Sequence, residues 1–294
     1  MRWLVVGAAG QLGTDLMAVL ADAGHEAVGL DLPDIDITDF GSVAAALVAA
    51  SPDVVVNAAA FTAVDDAETH EGAALRVNGV GPGVLAEAIH STDGVRLVHI
   101  STDYVFDGTA QEPYAEDAPT NPASAYGRTK AVGEEEVLTK LPDRGFIVRT
   151  AWLYGEHGNN FVRTMLRLEA SNDTLSVVDD QRGQPTWSWD LARQIEAMMS
   201  AAVPAGIYHG TASGDTTWYG FTREIFRLAG HDPNRVLPTT TDKFPRPAPR
   251  PAYSVLGHEK WREVGVPPMR SWQEALAAAM PHLLAAWHDP SATP

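Results

Sequence analysis

Trp3-Leu4-Val5-Val6-Gly7-Ala8-Ala9-Gly10-Gln11-Leu12-Gly13 runs a buried-strand pattern straight into a G-x-x-G-x-x-G turn. An amphipathic pattern follows to about Ala23, so the order is strand, glycine turn, helix. Gly7 suits a tight turn, Gly10 lets the backbone approach an anion, and Gly13 allows close helix packing, while the helix N-terminus offers its amides to a pyrophosphate. The spacing differs from the commoner G-x-G-x-x-G, and glycines alone often mark nothing more than a turn. The strand and helix on either side favour a dinucleotide site.

Working outward, a second strand, Glu26 to Leu30, ends at Asp31. An acid there can accept hydrogen bonds from an adenosine ribose and would repel a ribose 2′-phosphate, which favours NADH over NADPH on this residue alone. Capping a loop is its plainer use. Asp36-Ile37-Thr38-Asp39 precedes a helix near Gly41 to Ala50, and Asp53 to Asn57 forms the next strand. The small residues Asn57-Ala58-Ala59-Ala60 at its end let a cofactor lie against the backbone. A helix around Ala73 to His90 and a strand Val95 to Ile100 continue the alternation, which predicts an α/β fold built on a doubly wound parallel sheet.

That last strand delivers Ser101 and Thr102, and a proline-punctuated loop leads on to Tyr126-Gly127-Arg128-Thr129-Lys130. Four residues make roughly one helical turn, so Tyr126 and Lys130 share a face. An ammonium near a phenol favours the phenolate and lowers the tyrosine pKa toward working pH, giving a proton donor for a sugar alkoxide. Thr102 can hydrogen-bond the same substrate oxygen. An ordinary exposed helix pair is the bland alternative.

The Tyr126 helix is expected to reach about Leu141, and Phe146 to Thr150 to form another strand. Beyond Gly155 the pattern loosens, which places a dinucleotide-binding domain at residues 1–154 and a smaller mixed α/β lobe at 155–294, with some of its segments expected to return to the sheet. Arg246 and Arg250, in a stiff proline-rich segment, are either diphosphate ligands or solvated loop charges.

The formal charge of −17 argues against non-specific nucleic-acid binding. The absence of cysteine excludes disulfides, thiol catalysis and cysteine-held metal. The apolar start is too short for a signal peptide, and no apolar run approaches the ~20 residues of a membrane span, so a cytoplasmic protein is expected.

With these residues laid out, the chain resembles the extended short-chain dehydrogenase/reductase superfamily and, within it, the dTDP-4-dehydrorhamnose reductases. The likeness covers nearly the whole length. Beside the glycine turn and Tyr126 to Lys130 it rests on Asn57 to Asp65, Ser101 to Gly108, Arg149 to Trp152, Gly158 to Phe161, Asp180 to Thr186 and Arg250 to Ser254. The resemblance implies a Rossmann domain, catalytic Thr102, Tyr126 and Lys130, and a hydride delivered to C4 of a keto sugar by NADPH or NADH. It implies cofactor contacts at Gly7, Gly10, Gln11, Leu12, Gly13, Asp31, Asp36, Ile37, Ala60, Thr62, Tyr126 and Lys130. For the nucleotide sugar it implies Ser101, Thr102 and Trp152, with Asn160 and Arg250 as further candidates.

Some members dimerise around a magnesium ion held by glutamates. The matching places hold Asp15 and Asp190, and Pro281-His282-Leu283 stands where a third acid is needed, a poorer oxygen-ligand set. Magnesium is therefore discounted, Asp15 and Asp190 are expected as surface acids, and a monomer or weak homodimer is expected.

Three rivals remain. A nucleotide-sugar 4,6-dehydratase shares the Tyr-Lys pair, but similar dehydratases carry Thr-Asp-Glu where this chain has Thr102-Asp103-Tyr104. A reductase of a related dTDP-keto sugar, such as the dihydrostreptose precursor, shares all of the motifs. A non-catalytic cofactor-binding subunit, like the regulatory subunit of methionine adenosyltransferase, would have no need of the complete set.

Overall fold

In the computed structural model, which describes residues 1–288, the first half of the chain alternates strand and helix. It runs β1 (Arg2–Val6), α1 (Gln11–Asp22), β2 (Glu26–Leu30), α2 (Phe40–Ala50), β3 (Val54–Asn57), short helices α3 (Val64–Ala67) and α4 (Glu71–Leu75), α5 (Gly81–His90), β4 (Arg96–Thr102), α6 (Ala125–Lys140) and β5 (Gly145–Thr150). Shorter elements follow: β6 (Leu153–Tyr154), α7 (Phe161–Glu169), β7 (Leu175–Val178), β8 (Arg182–Gly183) and β9 (Thr186–Trp187). The remainder comprises α8 (Ser188–Ser200), β10 (Gly206–His209), β11 (Thr216–Thr217), α9 (Trp218–Leu228), β12 (Val236–Thr239), α10 (Glu259–Glu263) and α11 (Trp272–His288).

The parallel doubly wound sheet is present, six strands in the order β10-β5-β4-β3-β1-β2. Alternate side chains of each strand serve opposite layers. Trp3 and Val5 pack with Leu16 of α1 and Leu191 and Ile195 of α8, whereas Leu4 and Val6 pack with Leu47 of α2 and Leu85 of α5. Burial on both faces explains why the strands read as continuous apolar runs. Strand order reverses between β1 and β3, and a crevice opens beyond the carboxyl ends of such strands.

The later half of the chain divides its elements. Strand β10 hydrogen-bonds β5 in register from Gly206 opposite Phe146, and α8 packs on α1. The rest builds a second core from Tyr154, Phe221, Phe226, Trp187 and Trp272.

The helix expected from Ala73 to His90 is interrupted by one π-helical turn at Arg76–Val80. Asn78 in that turn is fully buried; its amide accepts from Phe61 N at 2.8 Å and donates to the Phe61 carbonyl at 3.1 Å and Thr129 Oγ1 at 3.2 Å. The wider turn thus ties the loop after β3 to α6, a common use of a π-bulge.

Candidate active site

Four of the longer helices have their N-termini sealed by side chains. Asp39, Ser124, Asn160 and Thr217 accept amide protons at the starts of α2, α6, α7 and α9. Gly10, at the start of α1, has no side chain to do so, and this end opens on a cavity of about 750 Å³. Unsatisfied first-turn amides facing such a space suit a diphosphate. Gly7 has φ +81°, and a Cβ there would lie 2.6 Å from Ala59 N, so only glycine lets the turn pass the end of β3.

The cavity is lined by Gly7, Gly10, Gln11, Leu12, Gly13, Asp31, Asp36, Ile37, Ala60 and Thr62, together with Ser101, Thr102, Tyr126, Lys130 and Trp152. Asp31 Oδ2 accepts from Ala9 N at 3.1 Å and Oδ1 from Leu32 N at 2.9 Å, so the acid also braces the glycine turn. Asp36 receives the Thr38 amide and hydroxyl, both at 2.8 Å, and these hold its carboxyl below the usual range.

At the other end of the cavity, β4 carries Thr102 to the base of α6. A Cβ on Gly127 would lie 2.1 Å from the Tyr104 carbonyl oxygen; glycine therefore lets α6 approach until the Tyr126 phenol faces the Thr102 hydroxyl. Tyr104 packs edge-on to Tyr126, ring centroids 5.7 Å apart. Lys130 is buried one turn along.

The expectation that Lys130 draws the Tyr126 phenol down is not met. Burial and then the neighbouring Asp103 push Tyr126 up to about 12, with Thr102 pulling the other way. The reason is where the ammonium goes: Lys130 Nζ donates to the Ile100 carbonyl at 2.6 Å and faces His99 Nε2 at 3.3 Å. Burial lowers Lys130 itself to about 8. It also lowers His99, helped by the Lys130 charge, so the imidazole between Asn57 and Lys130 is neutral.

A second cavity, of about 580 Å³, adjoins the first through Tyr104 and Trp152, which line both. Trp152 stacks on Trp218, ring centroids 3.5 Å apart at 9°. Arg246 and Arg250 also line this space, and Arg250 Nη1 pairs with Asp65 Oδ1 at 2.9 Å. The cavity therefore joins aromatic faces to guanidinium groups.

The RmlD substrate binding domain, a family of known proteins, matches residues 1–285. The chain belongs to the RmlD substrate binding domain family. It is 51% identical to a dTDP-4-dehydrorhamnose reductase of Streptomyces griseus, over 96% of this chain and 94% of the relative. It is 53% identical to a probable dTDP-4,6-dihydroxy-2-methyloxan-3-one 4-ketoreductase of Streptomyces antibioticus, over 99% of this chain and 98% of the relative. A dTDP-4-dehydrorhamnose reductase of Bacillus anthracis, solved in complex with NADP, superposes with a TM-score of 0.90 at 38% identity, over 95% of this chain and 98% of that one. The RmlD-family resemblance and the reductase class read from the motifs therefore stand.

Within this RmlD-family chain, two expected substrate residues have other commitments. Asn160 caps α7, accepting from Arg163 N at 3.2 Å, and its amide donates to the Gly155 carbonyl at 2.8 Å. Ser101 donates its hydroxyl to Glu134 Oε1 at 2.5 Å.

Asp15 and Asp190 are not surface acids. Asp15 is 3% exposed, hydrogen-bonded by the Ser188 hydroxyl, and burial raises its carboxyl. Asp190 is 9% exposed and holds Arg270 in a two-pronged pair at 2.7 and 2.8 Å. Among the described residues no three His, Cys, Asp or Glu gather around one point.

Glu134 and Asp103 were missed in the sequence. Glu134 stands four residues after Lys130 on α6, a spacing that places both on one helix face and was a usable signal. Asp103 had no such signal, because its burial is produced by the folding of Ser254 and its neighbours over it.

Proposed function

We propose that this protein reduces the C4 ketone of dTDP-4-dehydro-L-rhamnose to dTDP-L-rhamnose, with Tyr126 as proton donor. One observation carries the reading: Thr102, Tyr126 and Lys130 line the larger of two adjoining cavities, with Tyr104 and Trp152 lining both. A bound reduced nicotinamide, NADPH or NADH, supplies the hydride.

Tyr126 is fully protonated at neutral pH because burial raises it. Even raised in this way the phenol remains a stronger acid than a secondary sugar alcohol, so an alkoxide formed at C4 takes its proton. The Lys130 ammonium shares the helix face of Tyr126 but is engaged by the Ile100 carbonyl and His99, so its part in this reading is to hold the nicotinamide ribose. The Trp152–Trp218 stack offers a planar face to a pyrimidine base, and Arg246 and Arg250 offer forked donors to the diphosphate. The α1 N-terminus supports the cofactor's own diphosphate. The Asp31 carboxylate disfavours a 2′-phosphate, whereas the Bacillus anthracis relative was solved with NADP. Both cofactors therefore belong in the assay.

A second reading, reduction of a related dTDP-keto sugar, is favoured by the Streptomyces antibioticus relative, which matches slightly better than the rhamnose reductase of Streptomyces griseus. The deciding experiment follows reduced-nicotinamide absorbance while purified protein meets each keto sugar, with EDTA in a parallel run. Preferential oxidation with the rhamnose precursor supports the first reading, and preference for the other sugar replaces it.

A further inference from the structure

Asp103 is a buried acid to which the reaction above gives no part. It follows Thr102 at the end of β4, is 2% exposed and lines the larger cavity. Its Oδ1 accepts the Thr102 hydroxyl proton at 3.0 Å, while Thr102 Oγ1 accepts from Tyr104 N at 3.2 Å. The groups facing the carboxyl are Thr102 and the Tyr104 phenol from its own segment, the Tyr126 phenol from α6, and the Ser254 hydroxyl from the returning C-terminal segment. Neither Asp103 Oδ2 nor Ser254 Oγ completes a well-formed hydrogen bond among the described residues.

A hydroxyl has one proton to give. While Asp103 is a carboxylate, the Thr102 proton is committed to it, and toward Tyr126 the threonine can only accept, which turns the phenol proton away from substrate. When Asp103 is protonated it can donate to Thr102, and the Thr102 proton is released to point at the Tyr126 oxygen. A donor there favours the phenolate left after transfer.

We propose that Asp103 is a positioning residue acting through Thr102: in its protonated form it turns the Thr102 hydroxyl into a donor toward Tyr126 and so assists transfer of the phenol proton to substrate. The inference rests on Tyr126 being the proton donor of the reduction proposed above. In the step itself the Tyr126 O–H bond breaks, its electron pair stays on the phenolate, and the proton bonds to the C4 oxygen; Thr102 and Asp103 keep their protons. Burial pushes the Asp103 carboxyl up to about 6, so its state changes close to neutrality.

The test is the pH dependence of single-turnover reduction with saturating cofactor. The wild-type rate is expected to fall about tenfold as pH rises through the Asp103 transition, the weight of one hydrogen bond. In Asp103→Asn, which cannot titrate, and in Thr102→Val, which cuts the link, that limb disappears. A limb that persists in either variant overturns the proposal, because a merely structural role lowers the rate evenly at every pH. Infrared difference spectra of the protein with NADPH, taken between acid and neutral pH, supply a readout without turnover. A carboxylic-acid band present in wild type and absent from Asp103→Asn is expected. If no keto sugar is reduced at all, the proposed reduction falls; if the band is missing from wild type, this proposal falls.

Discussion

Glu134 and Arg149 form a two-pronged ion pair on the Lys130 face of α6. Glu134 Oε1 receives Arg149 Nε at 2.9 Å and Oε2 receives Nη2 at 2.7 Å, with both side chains at most 5% exposed. Glu134 Oε1 also takes the Ser101 hydroxyl, so one carboxylate joins α6 to β4 and β5. Arg149 in turn donates to the Glu116 carbonyl at 3.3 Å and lies over the Phe106 ring. The pair sets where Lys130 and Tyr126 stand relative to Thr102.

Glu134→Gln keeps the side-chain shape but leaves Arg149 charged and buried without its counter-ion. Breaking a buried pair from one side costs about 3–5 kcal/mol. Urea unfolding of the variant should show that loss. A value within about 0.5 kcal/mol of wild type, typical of a neutral surface change, would mean that the pair does not brace the site.

Tyr126→Phe removes the proposed acid and little else, since the ring already packs against Ala67, Ala74 and Ala125. Reduction should drop by roughly 10²–10⁴, the usual weight of a positioned general acid. Cofactor affinity, measured by fluorescence titration, should hardly change. An active phenylalanine variant would remove Tyr126 from the mechanism.

Acid should begin to destabilise the fold above the range in which ordinary exposed carboxylates are protonated. Burial lowers His209 to about 3 and His258 to about 4, so both are neutral in the folded protein. Unfolded histidine binds its proton near a pH of about 6.5. The unfolded state therefore takes up protons that the native state refuses, and stability is complete above that pH and is lost as pH falls toward the folded values. Each histidine contributes up to about 1.4 kcal/mol per pH unit in that window. Urea midpoints measured between neutral and mildly acidic pH should fall more gently in His209→Gln; an unchanged slope would show that His209 is not among the groups responsible.

Trp218→Ala opens one side of the Trp152 stack without touching the cofactor cavity. Aromatic pairing is worth about 0.5–1.5 kcal/mol beyond area burial. The nucleotide-sugar KM should rise several-fold, while the cofactor KM stays put. If instead the cofactor KM rises and the sugar KM does not, the second cavity is not the nucleotide-sugar site.

Local chemistry alone determined a large part of this protein. The apolar runs Trp3 to Val6 and Val54 to Asn57, alternating with helical segments, specify strands covered on both faces and hence the parallel sheet. Spacing along one helix determined that Tyr126 and Lys130 share a face, and the glycine turn marked where α1 meets an anion. Tertiary structure decided the rest, because the deciding partners come from distant points in the chain. The Ile100 carbonyl and His99 take the Lys130 ammonium, burial raises Tyr126 against expectation, and capping commits the Asn160 side chain to α7. Asp15 and Asp190 are enclosed by Ser188 and Arg270 rather than left at the surface. Trp152 and Trp218, far apart in the chain, meet only once the second core has formed around α9. Charge and desolvation depend on what surrounds a group in space, and sequence order does not contain that.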